Sequence, residues 1–143
     1  MLGSHAPMQT GRYKLIRHSE GRPFYADVTV QVKPVENGPQ VEVSNSAFSW
    51  LKREYDSDAW GWALCEDFRA GAIHGVQFAL ANTKTGPAMK RYSVTVTEIQ
   101  TSVATGTCPK SVAFAACYAT WQALHDAGRN EPKIVDRQIV FAD

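Results

Sequence analysis

The chain has almost no excess charge, no long apolar run and no paired cysteines, and each shortage narrows what it does. Its 15 Lys and Arg residues face 14 Asp and Glu, a net charge of +1, so no whole-molecule field draws it to nucleic acid and only a local patch can do so. No stretch approaches the length of apolar sequence that spans a bilayer. Cys65, Cys108 and Cys117 are odd in number and lie far apart, which excludes a disulfide framework and a zinc site of the Cys-x-x-Cys kind. Met1 to Pro7 have neither the charged nor the apolar region of a signal peptide. A cytoplasmic protein is expected. No Gly-x-x-x-x-Gly-Lys-[Ser/Thr] loop is present to cradle a nucleotide phosphate, and no metal-ligand spacing or cofactor motif stands out, so no nucleoside triphosphate, metal or cofactor is expected.

What is present fits one folded domain. A chain of 143 residues with 44% hydrophobic content is long enough to bury a core without staples. Residues 1–10 read as a tail, with Gly3-Ser4-His5 in the pattern of an expression tag, and residues 11–143 as a single domain. Arg12 to His18 alternates weakly, and Ser19 to Pro23 carries turn chemistry. From Phe24 to Lys33 the alternation is strong: Phe24, Ala26, Val28, Val30 and Val32 share one face of a half-buried strand. Pro34 ends it, Asn37-Gly38 marks a hairpin, and Val41 to Val43 resumes as a short strand.

Asp56-Ser57-Asp58 offers N-cap side chains for a helix whose stripe is Leu64, Phe68, Ala72, Val76 and Leu80. Asn82 to Pro87 terminates it. Tyr92, Val94 and Val96 alternate with Ser93, Thr95 and Thr97 as a further strand. Pro109 suits the first position of a second helix, with Phe114, Cys117, Trp121 and Leu124 as its stripe and Gly128 as the residue that closes it. Ile134 to Phe141 reads as one last strand. The order implies an α+β two-layer sandwich, a mostly antiparallel four-stranded sheet with two helices on one face.

Gly21-Arg22-Pro23-Phe24-Tyr25-Ala26-Asp27-Val28, running on to Pro34, resembles the strand Gly-Arg-Gly-Gln-Tyr-Gly-His-Val in the fourth domain of elongation factor G. Gly75 to Leu80 is similar to that family's Gly-Ile-Gln-Glu-Ala-Leu, Gly86-Pro87 to its next loop, Ala113-Phe114 with Ala116 to its second helix, and Pro132 to Val140 to its last strand. The blocks keep their order from Gly21 to the C-terminus. The resemblance implies the ribosomal protein S5 domain 2-like fold and a setting in translation. It departs where the family's Val-Asp-Ser-Ser falls on Cys108-Pro109-Lys110-Ser111, and where an insertion at 48–62 carries Trp50, Trp60 and Trp62. These residues carry none of that family's GTPase domain, so the expectation is a chain that is not a translocase.

In that family the hairpin end and the loop before the second helix form one tip that meets RNA. Here the resemblance assigns to the tip Arg17, His18 and Arg22 from the hairpin and Lys110 from the loop. The hairpin is locally basic, since Arg12, Lys14, Arg17, His18 and Arg22 face Glu20 as their one acid between Gly11 and Phe24; a basic loop of this size also serves solvation alone. The expectation is a non-catalytic, stand-alone translation-factor-like domain binding RNA, the ribosome or a protein partner. The alternative is a small-molecule-binding protein or enzyme using a cleft beside the insertion, for which a pocket lined by Trp60, Trp62 and a buried carboxylate would be the sign. The three tryptophans either form a partner surface or plug the edge of the core. Cys108 before a helix has the position of an activated thiol but no histidine is placed beside it by spacing. Cys117 reads as a small core residue and His74 as a boundary histidine.

Overall fold

The computed structural model describes residues 8–17, 24–36, 40–48, 62–84, 92–101, 107–135 and 138–141. Strand β1 (Gln9–Arg17) pairs antiparallel with β2 (Phe24–Pro34), and β2 pairs antiparallel with β4 (Tyr92–Gln100). The short β3 (Gln40–Val43) lies parallel to β4 at the other edge, giving the order β1-β2-β4-β3. A parallel pair needs a crossover between its strands, and helix α1 (Trp62–Ala81) supplies it. Helix α2 (Pro109–Leu124) follows β4. β1 starts at Gln9, so the strand takes in the last two residues of the expected tail.

The alternation of β2 settles which side the helices take. Ala26, Val28, Val30 and Val32 are buried against Phe68, Ala72, Val76 and Leu80 of α1 and against Val112, Ala115, Ala116 and Ala119 of α2. Each fully buried valine contributes roughly 1.5–3 kcal/mol by leaving water. β4 completes the layer with Val94, Val96 and Ile99. Ile99 reaches that face because Thr29 pairs with Glu98 whereas Val30 pairs with Val96, leaving Thr97 as a bulge that reverses the side-chain parity.

α2 is buried nearly all round, from Ser111 to Cys117 and again at Ala119 to Trp121 and Ala123, because it lies on β1 and β2 and also against α1. The two helices touch backbone to backbone: a methyl group at Gly71 would stand 2.5 Å from the carbonyl oxygen of Pro109, and one at Gly75 would meet Ala113. The last carbonyls of α1 are taken up by side-chain donors, one local and two distant in sequence. Asn82 Nδ2 donates to Phe78 (2.9 Å), Trp121 Nε1 to Ala79 (2.9 Å) and Arg129 Nη2 to Ala81 (3.3 Å), so the end of the helix is satisfied largely by α2 and the segment that follows it.

Three expectations are corrected. Gly128 does not close α2; His125 takes the left-handed conformation there (φ 53°, ψ 41°), while Gly128 bridges Thr83 and lies under the Trp121 indole, where no side chain fits. The last segment is not one strand of the main sheet. It forms β5 (Lys133–Val135) and β6 (Gln138–Val140), an antiparallel pair of their own, with Ile139 buried and Ile134 packed against Leu15, Phe24 and Phe114. Nor do Phe24–Pro34 and Gln40–Val43 form the hairpin expected around Asn37-Gly38, because β4 lies between β2 and β3 and pairs with both; residues 37–39 themselves, and the caps expected at Asp56-Ser57-Asp58, lie outside the described residues. Among the described residues, no helix is long and apolar enough to cross a membrane.

Candidate functional site

Ser111 joins the start of α2 to the start of β2. Cys108 is the extended N-cap residue (φ −141°, ψ 166°), and Pro109 follows as the first helical residue. Ser111 Oγ, fully buried, accepts the Cys108 N–H at 2.9 Å. It has one proton to give, with the carbonyls of Cys108 (2.8 Å) and Tyr25 (3.1 Å) both in reach. One turn on, Phe114 packs with Leu15, Phe24 and Ile139. The end of β1, the start of β2 and the first turn of α2 therefore share one end of the molecule.

That end carries two exposed cations from the expected set, Arg17 as the last residue of β1 and Lys110 as the second of α2. His18 and Arg22 lie outside the described residues, as do Trp50 and Trp60. Trp62 opens α1, and its side chain is outside the described part as well.

Arg12 does not belong to this cationic group as the sequence suggested. It forms a bidentate pair across the open sheet face, Nε to Asp27 Oδ1 at 2.9 Å and Nη2 to Asp27 Oδ2 at 2.6 Å. The arrangement is one-sided: the Asp27 side chain is 2% exposed and that of Arg12 60%. The hydrogen bond and charge of Asp27 raise the guanidinium pKa above its ordinary value. Tyr25, on the same face, has its phenol pKa raised by burial first and by Asp27 second. A buried carboxylate on the solvent side of a sheet needs such a partner. Glu98 adds a second acid near Arg12, so the Arg12 charge is offset by acids and offers a phosphate little.

An open cleft of about 560 Å³ lies between α1, the first turn of α2 and β6. Gly71 and Ala113 form its floor because the helices approach there without side chains between them. Asp67, His74, Lys110 and Gln138 supply its polar lining. His74 is set edge-on to Phe141, ring centroids 5.2 Å apart and planes at 74°. Asp67 is exposed, so among the described residues no buried carboxylate and no tryptophan lines the cleft. Sequence reasoning missed this cleft, since β6 reaches it only by leaving the sheet.

Cys117 is fully buried and burial, followed by Glu131, raises its thiol pKa, which makes it a poor nucleophile. Cys108 packs at the edge of the Leu15, Phe24 and Phe114 cluster. Among the described residues no group of three or more His, Cys, Asp or Glu is placed to hold a metal ion.

No protein-family model matches the chain, and no curated protein matches it. Among solved structures it is similar to the crystal structure of ttk003000868 from Thermus thermophilus, with a TM-score of 0.60 at 13% identity. The match covers 82% of this chain and 16% of the Thermus chain, so this chain corresponds in fold to a small part of a far longer protein.

Proposed function

We propose that the chain is a non-catalytic relative of the fourth domain of elongation factor G, with the ribosomal protein S5 domain 2-like sandwich, and that it binds RNA through the end where β1, β2 and α2 meet. What supports the reading is that Arg17, exposed as the last residue of β1, and Lys110, exposed as the second residue of α2, belong to the two segments the resemblance assigns to an RNA-facing tip. The four-stranded sheet backed by two helices supports the fold. The Thermus likeness supports the fold alone. With a net charge of +1, binding rests on a few phosphate contacts at this end.

The test is binding of labelled single-stranded RNA as a function of salt. Three phosphate contacts imply a log–log slope of roughly −2, and Arg17→Ala, Arg22→Ala or Lys110→Ala each makes it shallower by about 0.7. Lys84→Ala, at the far end of α1, leaves it unchanged. Affinity that ignores the three cations and follows Trp50 and Trp60 would move the working surface to the insertion. A protein captured in place of RNA through Arg17 and Lys110 would make the end a protein-docking surface instead.

A further inference from the structure

We propose that the cleft between α1, the first turn of α2 and β6 holds one unpaired base of the RNA strand whose phosphates meet Arg17 and Lys110, and that this base is guanine. The inference rests on the RNA-binding reading and adds what that reading lacks, since phosphate contacts position a strand without reading its sequence.

Lys110 connects the two sites. It is one of the cations at the hairpin end and also lines the cleft, so a strand with a phosphate on Lys110 has a nucleotide beside the opening. The volume of about 560 Å³ falls in the range of cavities that enclose small organic ligands. The apolar floor at Gly71 and Ala113 and the His74–Phe141 ring pair supply the surface an unstacked base uses, because bases out of a helix stack on aromatic and histidine rings.

The polar lining narrows the choice of base. A carboxylate such as that of Asp67 accepts hydrogen bonds, whereas the Gln138 amide both accepts and donates. Guanine presents two parallel N–H donors on its Watson–Crick edge, which a single carboxylate accepts together. Uracil presents one N–H between two carbonyls, and its oxygens meet the carboxylate unfavourably. Lys110, also in the lining, takes the phosphate. A ligand that carries both an anion and a pair of donors finds a partner for each in Lys110 and Asp67.

The experiment is fluorescence anisotropy at low salt with short oligouridines carrying a single guanine, a single adenine or a single abasic nucleotide. The guanine oligomer is expected to bind about tenfold more tightly than the abasic one. His74→Ala and Gln138→Ala should each erase most of that difference, and Asp67→Asn should bring guanine and adenine together. Asp67 and Gln138 are exposed, so these two variants keep the fold, which circular dichroism verifies. Arg17→Ala should weaken all three oligomers alike. If guanine and abasic oligomers bind equally while Arg17→Ala still weakens them, the base pocket is refuted and the phosphate reading stands. A guanine preference that survives the cleft variants also refutes it. Failure of every oligomer to bind overturns both readings.

Discussion

Replacing Gly75 by alanine tests the helix packing, because two effects of opposite sign meet at that residue. In an exposed helix interior, glycine to alanine stabilises by about 1 kcal/mol, since alanine loses less backbone freedom on folding. At Gly75 the added methyl would fall on the carbonyl oxygen of Ala113, with the carbonyl carbon and Cα of the same residue each at 2.8 Å. Those are backbone atoms of a buried helix, so no side chain can rotate away. The helices must part by about 1 Å, giving up contacts along their whole length. Overpacking of this kind costs about 1–3 kcal/mol or more. A clash against backbone on this scale falls at the top of that range, about 3 kcal/mol; less the propensity gain of about 1 kcal/mol, the net loss is about 2 kcal/mol, a fall in Tm of roughly 6 °C for a chain of this size. Urea and thermal unfolding followed by circular dichroism measure it. Adding Ala113→Gly should give no rescue, because the obstruction is the backbone and not the Ala113 methyl. A variant as stable as the parent or more so would refute the close approach of α1 and α2.

Phe114 is buried with Leu15, Phe24 and Ile139, and Phe114→Ala should cost about 3–5 kcal/mol through lost transfer energy and the cavity left behind; a loss under about 1 kcal/mol in urea unfolding would place the ring outside the core. Arg12→Ala leaves the buried Asp27 carboxylate without its bidentate partner and should cost about 1–2 kcal/mol, reduced by the water that enters where an exposed guanidinium stood. Adding Asp27→Ala should recover part of that loss in a double-mutant cycle. Burial, then the charge and hydrogen bond of Glu131, raises the Tyr118 phenol pKa above its ordinary value of 10.0. The folded chain then holds that proton where the unfolded chain has lost it, so the associated stability is complete below pH 10.0 and falls as pH rises beyond it. Urea midpoints on either side of that pH measure the decline, and Tyr118→Phe should flatten it.

The inner face of β2 was legible because Ala26, Val28, Val30 and Val32 alternate with polar residues, and one face alone is buried apolar. Asp27 shows the limit of that rule. Periodicity places it on the solvent side, and only the cross-strand reach of Arg12 accounts for its burial. The bulge at Thr97 was hidden since a threonine continues the pattern Ser93, Thr95, Thr97 without a break; Ile99, out of step with Val94 and Val96, was its trace. The β5–β6 pair left a clearer sign. Ile134 and Ile139 are an odd number of residues apart, which in one strand puts them on opposite faces, yet both pack on the Phe114 cluster. The cleft was illegible for a related reason, since its lining comes from three elements that only the tertiary fold brings together. At Gly128 a local rule lost to a distant contact, because the glycine is needed under Trp121 and His125 bends the chain instead.

Ser111 separates what the family resemblance says about folding from what it says about RNA. It is the one residue kept from the Val-Asp-Ser-Ser loop, yet its hydroxyl is fully buried, accepting from Cys108 and facing the carbonyls of Cys108 and Tyr25. A group so placed has no route to a phosphate. Its work is to cap α2 and hold that helix against β2, which fixes where Lys110 stands. Ser111→Ala should therefore remove a capping bond and leave the Cys108 N–H unsatisfied, lowering stability by about 1–2 kcal/mol. Under the RNA-binding proposal, the slope of affinity against salt should be unchanged among molecules that remain folded, because Ser111 adds no phosphate contact. Measuring both on one preparation distinguishes the roles. A shallower slope with stability intact would mean that Ser111 meets RNA directly; lost stability with the slope kept would leave recognition to Arg17 and Lys110, the residues around it that differ from the family loop or flank it.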